Sequence, residues 1–251
     1  MSLVEIVIFL LLGALLGWLG GIFGIGGGLF AISILGIAFG MDQQHAQGTS
    51  LVMVVPNVLI GVYQYWRRGG MDRRIVVLMM VTAGVTTYLF ARIAVALPSA
   101  PLRRGFAIFL IVLAIYCAWR GYADSRTRNA PLVLPWPLTG IIGVLGGALS
   151  GMFTVGGAVF AVPALTLFFG ISQTVAQGIG LALVVPGLIF GLIVYGGAGD
   201  IHWPIGLALA AGGVGTVSWG VSVAHKLRES TLKYCFSVML LLTGALLWAR
   251  A

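Results

Sequence analysis

Residues 20–28 read Gly20-Gly21-Ile22-Phe23-Gly24-Ile25-Gly26-Gly27-Gly28, and residues 151–158 read Gly151-Met152-Phe153-Thr154-Val155-Gly156-Gly157-Ala158. Each run interrupts an apolar stretch, and a glycine inside a helix costs about 1 kcal/mol relative to alanine. Backbone this irregular survives at membrane depth only where it is buried in protein or lines a wet cavity. The two runs also share one offset. Sliding the sequence on itself by 130 residues aligns 1–121 with 131–251 without a gap and gives 20 identities in 50 positions between Gly21 and Gly70. Among them are Phe23/Phe153, Gly26/Gly156, Gly27/Gly157, Gln43/Gln173, Pro56/Pro186 and Tyr65/Tyr195, and Ala46-Gln47-Gly48 returns as Ala176-Gln177-Gly178. The chain reads as a duplication: a first transmembrane repeat over 1–121, a basic linker over 122–130 and a second repeat over 131–251.

Composition sets the solvent. Hydrophobic residues make up 60% of the 251 and charged ones only 8%, against about 25% charged in a soluble domain. The mean hydropathy is +1.09. These values exclude a soluble enzyme, a disordered chain and a nucleic-acid binder working through a basic surface, even though Lys+Arg exceed Asp+Glu by 14 to 6. The expected partner is the lipid bilayer, with no nucleic acid. Apolar segments cover roughly 3–23, 29–40, 44–66, 75–97 and 105–120. At about 20 residues per crossing the second is short. The first does not read as a cleaved signal peptide, because Glu5 is its only charge and no basic stretch precedes it. Cys117 and Cys235 are too few for a disulfide framework or a CxxC site and read as small buried hydrophobes. No metal or cofactor is expected. The fold class is an all-α, multi-pass membrane protein whose halves each hold about 4–5 helical segments, with short helices after the glycine-rich breaks.

Lys and Arg in short loops set orientation. If each half crosses an even number of times, the basic residues divide 8 to 5 between the faces. If each crosses an odd number of times the second half inverts, and Lys226, Arg228 and Lys233 join Arg67, Arg68, Arg73, Arg74, Arg120, Arg126 and Arg128, leaving Arg103, Arg104 and Arg250 opposite, 10 to 3. The inverted reading, with both termini outside, is the expectation.

Broken helices in duplicated transporters offer half-helix N-termini whose free N–H groups and positive dipole end suit an anion. Helices opening near Gly28 and Ala158 would aim two such ends at one central site. Close packing on small residues is the competing explanation, and the recurrence at equivalent positions favours the break. A dinucleotide fingerprint is rejected, since that motif needs a preceding strand and an acid about 20 positions on. After each short helix come neutral donors: Gln47, Thr49 and Ser50, continuing to Asn57, and in the second half Gln177. The candidate substrate-binding set is therefore Gly26, Gly27, Gly28, Gln47, Gly48, Thr49, Ser50 and Asn57 with Thr154, Gly156, Gly157, Gln177 and Gly178. His45 is the candidate for proton coupling because imidazole titrates near neutrality, although its repeat equivalent is Val175. Arg92 reads as a snorkelling side chain, and His202 and His225 as loop or interface residues. No span carries a pair of acids. An anion leaving a cell that is negative inside is driven outward by about 2.3 kcal/mol per charge per 100 mV, so an exporter needs no such pair.

With the glycine-rich break and Ala46-Gln47-Gly48-Thr49-Ser50 set out, the chain resembles the TauE/SafE family of sulfite-exporter-like permeases over essentially its whole length. The second half matches in Gly156-Gly157, Val162-Pro163-Ala164-Leu165 and Ala176-Gln177-Gly178. It departs where Ser33 replaces the proline that Pro163 supplies and where Ile179-Gly180 replaces Thr-Ser, so hydroxyl contacts are expected on one side only. The resemblance implies transport of sulfite, sulfonates or related organosulfur anions across the bacterial cytoplasmic membrane. The leading expectation is thus a secondary transporter or exporter of small anions working by alternating access, with no enzymatic activity and with a homodimer kept open. The alternatives are a membrane assembly factor and an intramembrane serine hydrolase built on Ser150 with His202 or His225.

Overall fold

The computed structural model describes residues 3–124, 134–154 and 156–248. Among them are ten α-helices, one 3-10 turn at Trp136–Leu138 and no strand. The first half holds α1 (Leu3–Phe23), α2 (Gly28–Ala38), α3 (Gln43–Arg67), α4 (Arg73–Ala96) and α5 (Ser99–Asp124); the second holds α6 (Thr139–Phe153), α7 (Gly156–Phe168), α8 (Gln173–Ala198), α9 (Trp203–Ala224) and α10 (Glu229–Trp248). Helix α5 continues through 122–124, and the rest of the expected linker lies outside the described residues, as does Val155.

Six of the apolar helical stretches are long enough to cross a bilayer. Helix α1, with 21 residues, spans about 31 Å at 1.5 Å per residue. Their outward faces stay apolar: Val81 and Val85 on α4, Ile193 on α8 and Trp219 on α9 are each more than 60% exposed. In water such faces would be a liability; against acyl chains they are satisfied. Cys235 belongs to such an outward surface. It is exposed, which corrects the expectation of burial, because lipid accepts small apolar side chains as readily as a core does. The side chain of Cys117 is outside the described set.

Local signals mark the helix ends. Asp42 caps α3 by accepting from His45 N at 2.9 Å, and Asp72 caps α4 by accepting from Arg74 N at 2.8 Å. Pro56 and Pro186 sit within α3 and α8, tolerated because neighbouring helices cover the backbone they free.

The halves are interlocked. Helix α1 packs against α9, with Gly13 beside Leu209, Gly17 beside Gly213 and Gly21 beside Val217, so the two run parallel. The repeat does the same with α6 and α4: Gly143 meets Met79, Gly147 meets Ala83 and Gly151 meets Thr87. Each half therefore lays its first helix on the fourth helix of the other, through glycines spaced by four that let backbones approach closely. At the centre, α3 and its repeat equivalent α8 run antiparallel, since Gln47 meets Tyr195, Leu51 meets Gly191, Gly61 meets Leu181 and Tyr65 meets Gln177. Helix α2 doubles back along α1, with the Phe9 and Phe39 rings 4.8 Å apart.

Candidate functional site

Both glycine-rich runs break the helix. Helix α1 stops at Phe23 and α2 starts at Gly28, with Gly24, Gly26 and Gly27 at φ 66°, 68° and 85°. In the second half α6 stops at Phe153 and α7 starts at Gly156. The two breaks share one backbone feature, since Thr154, equivalent to Gly24, also has φ 66°. A β-branched residue in that region is a backbone outlier, of the kind that persists only where surrounding structure over-determines it. Thr154 is buried, and its hydroxyl faces the Tyr195 phenol.

No side chain caps α2 at Gly27, so its leading amides keep the unsatisfied character of a helix start. Gly26 lies against Val54 and Val58 of α3, and Gly27 against Met53. Gly157 lies against Leu183, the repeat equivalent of Met53. The two short helices thus begin at comparable depths along the α3–α8 pair.

The polar residues sort into three groups. Gln47 and Gln177 are fully buried, and each is held by a tyrosine of the other half: Tyr65 Oη donates to Gln177 Oε1 at 2.9 Å, and Tyr195 Oη donates to Gln47 Oε1. The two glutamines do not meet. Gln177 lies beside Tyr65, about 27 Å along α3 from Gln47 at 1.5 Å per residue. Each borders a break, because a Cβ at Gly24 would fall on the Gln177 side chain and Gln47 Nε2 donates to Met152 O at 3.4 Å. Gln177 Nε2 is buried with no hydrogen-bond partner. The tyrosines were visible in the repeat as Tyr65/Tyr195, yet their partners are 112 and 148 residues away, beyond any spacing rule.

A second group makes structural hydrogen bonds within and between elements. Thr49 Oγ1 accepts from His202 N at 3.0 Å, Ser50 Oγ donates to Gln47 O at 2.8 Å, and Gln64 Nε2 donates to Ser218 Oγ at 3.3 Å. Gly48 and Gly178 are close-approach points, where a Cβ would strike the Asp200 carbonyl and the Met71 and Tyr65 side chains respectively. Asn57 is buried against Gly213 of α9 with both amide atoms unpaired.

The third group is ionic, and its main cluster gathers where α3 begins. His45 Nδ1 is 3.0 Å from both carboxylate oxygens of Asp42 and 3.7 Å from Asp200 Oδ1. Burial pushes the Asp200 carboxyl above its ordinary range, His45 opposing the shift and Asp42 adding to it. Arg92 leans on the Tyr88 ring at 5.8 Å, as a snorkelling side chain does. Ser150 Oγ donates to Thr154 O at 3.3 Å, at the end of its own helix. His225 lies against Tyr65 with ring centroids 5.0 Å apart, and His202 opens α9. Neither histidine is a hydrogen-bond partner of that serine, so the hydrolase alternative has no catalytic pair.

Comparison with known proteins agrees with this architecture. A probable membrane transporter protein of Methanocaldococcus jannaschii is 28% identical, covering 94% of this chain and 93% of the relative. A Bacillus subtilis protein of the same description is 25% identical over 96% and 98%, and one from Xylella fastidiosa is 27% identical over 92% and 89%. The profile of the family described as sulfite exporter TauE/SafE matches residues 9–247, and with nearly the whole chain matched, this protein is a member of the TauE/SafE family of membrane proteins.

Proposed function

We propose that this membrane transporter of the TauE/SafE family moves small anions such as sulfite or sulfonates across the bacterial cytoplasmic membrane. The observation that carries the reading is Gln177 Nε2, a fully buried amide donor without a partner, beside the turn from which the uncapped α2 begins. A buried, unmet donor costs about 1–3 kcal/mol, and an oxyanion relieves that cost without a charged side chain that would hold it too tightly. The equivalent set at the other break, Thr154, Gly156, Gly157 and Gln47, lines the far side of the same route. Gly26 and Gly27 seat the first break against Val58 and Leu16, Gly28 opens α2, and Gly178 receives Met71 and Tyr65.

Alternating access of two halves inverted in the bilayer suits this geometry. Two observations support inversion: α3 and α8, equivalent by the repeat, run antiparallel, and Arg68 at the end of α3 meets the C-terminal end of α9 through Nη2 to Ser222 Oγ at 2.7 Å. That basic end is the cytoplasmic one under the positive-inside rule. Export then follows the membrane potential.

The test is sulfite efflux from proteoliposomes. Gln177→Ala is expected to slow efflux about tenfold and Gln47→Ala less, because Gln47 already has both of its amide groups engaged. Efflux unchanged by both substitutions would overturn the site while leaving the transporter class standing.

A further inference from the structure

We propose that a cavity at the basic end, separate from the breaks, is an entry site for small oxyanions and sulfonates. It measures about 160 Å³ and is lined by Tyr65, Arg68, Met71, Thr174, Val175 and His225. Its cation, Arg68, is held in place. Arg68 donates from Nη1 to Val221 O at 3.3 Å and from Nη2 to Ser222 Oγ at 2.7 Å, which leaves further guanidinium donors for an anion. His225 Nδ1 lies 2.9 Å from Val221 O. A carbonyl only accepts, so Nδ1 is the donor of that bond and fixes the ring at the cavity wall. Thr174 adds a hydroxyl at the rim, and no carboxylate lines the cavity.

The floor is Tyr65, whose hydroxyl reaches Gln177 Oε1 and Gly21 O at 2.9 and 3.2 Å. One phenol thus separates this cavity from the unpaired Gln177 amide. These polar side chains are not demanded by the fold. At the repeat-equivalent positions of the opposite end, Ala198 stands for Arg68 and Val95 for His225, while Tyr195 keeps the place of Tyr65. A guanidinium at this mouth and none at the equivalent position of the other is what an anion collector requires. The neighbouring Arg67, Arg73, Arg74, Lys226 and Arg228 raise local anion concentration as a charged funnel does. The part played in transport rests on the function proposed above; binding at this mouth does not.

The experiment uses the full chain in lipid nanodiscs with Met71→Cys in a Cys117→Ser, Cys235→Ser background. A neutral maleimide labels the introduced thiol, and methanesulfonate is the probe, with gluconate at equal ionic strength as the control. Methanesulfonate is expected to slow labelling at least threefold. Compared with Thr174→Asn, the isosteric but negative Thr174→Asp should need about ten times more methanesulfonate for equal protection. Arg68→Gln should weaken protection similarly. No protection in the parent, or equal protection in the Asn and Asp variants, overturns the proposal. Protection together with absent sulfite efflux would instead count against the transport reading and leave the entry site standing.

Discussion

The two ends of the α3–α8 pair are built from equivalent residues and carry opposite chemistry. At one end Gly70 rests on Val175, with Ser172 capping α8 and Arg68 and His225 around a cavity. At the other, the same three positions are Asp200, His45 and Asp42, joined by an imidazole between two carboxylates. One mouth is cationic and open, the other an ionic contact that ties the start of α3 to the loop between α8 and α9. A duplication supplies identical backbones, so whatever differs between the mouths was free to vary, and here it is charge. A small anion approaching from the cationic side meets attraction first and carboxylates last.

The largest expected effect separates the two close approaches beneath these mouths. Gly48→Ala would drive a methyl into the Asp200 carbonyl, which is backbone, whereas Gly178→Ala meets the Met71 thioether and the Tyr65 side chain. Overpacking costs about 1–3 kcal/mol, and a flexible thioether yields more easily. Thermal unfolding in detergent should show about 3 kcal/mol lost for Gly48→Ala and about 1 kcal/mol for Gly178→Ala. Equal losses would mean that the two ends are equally rigid.

Next come the tyrosines. Tyr65 serves Gln177 and Gly21, while Tyr195 bonds Gln47. A buried polar atom deprived of its partner costs about 1–3 kcal/mol. Tyr65→Phe is expected to lose about 2 kcal/mol by the same unfolding assay, and Tyr195→Phe about 1 kcal/mol, since Gln47 retains its bond to Met152 O. The reverse order would show that the Gln177 amide is better satisfied than its surroundings indicate.

The smallest effect is the pH dependence of the ionic end. The folded state raises the Asp200 carboxyl above its ordinary value, so it binds that proton more tightly than the unfolded chain does. Its contribution is then favourable below the unfolded value and is lost as pH rises through the folded one. Asp200→Asn should stabilise the protein near pH 7, by less than about 1 kcal/mol because solvent screens a part-exposed carboxylate. Unfolding followed from pH 7 downward should show that advantage shrinking. A constant difference would place the effect in packing, and a growing one would reverse the sign.

Much of the architecture is legible in the residues. The segments 3–23, 29–40, 44–66 and 75–97 fall within a few residues of α1 to α4, because long apolar runs and glycine density act locally. The breaks at Gly24 and Thr154 follow from the offset of 130. What spacing does not carry is anything made between the halves. The seating of α1 on α9 depends on Gly13, Gly17 and Gly21 meeting residues about 200 positions on. The separation of Gln47 from Gln177 follows from the antiparallel α3–α8 contact, which no local pattern encodes. Cys235 shows the other blind spot, since composition alone does not distinguish a side facing lipid from one facing protein.

The central claim is that an anion crosses by way of the breaks, driven by the membrane potential. The most direct measurement is the flux of radiolabelled sulfite from proteoliposomes under an imposed potassium diffusion potential, with and without a pH gradient. Efflux should quicken when the interior is negative, change little with the pH gradient, and fall about tenfold in Gln177→Ala. Flux no faster than from empty vesicles, or flux that follows the pH gradient and ignores the potential, would contradict it.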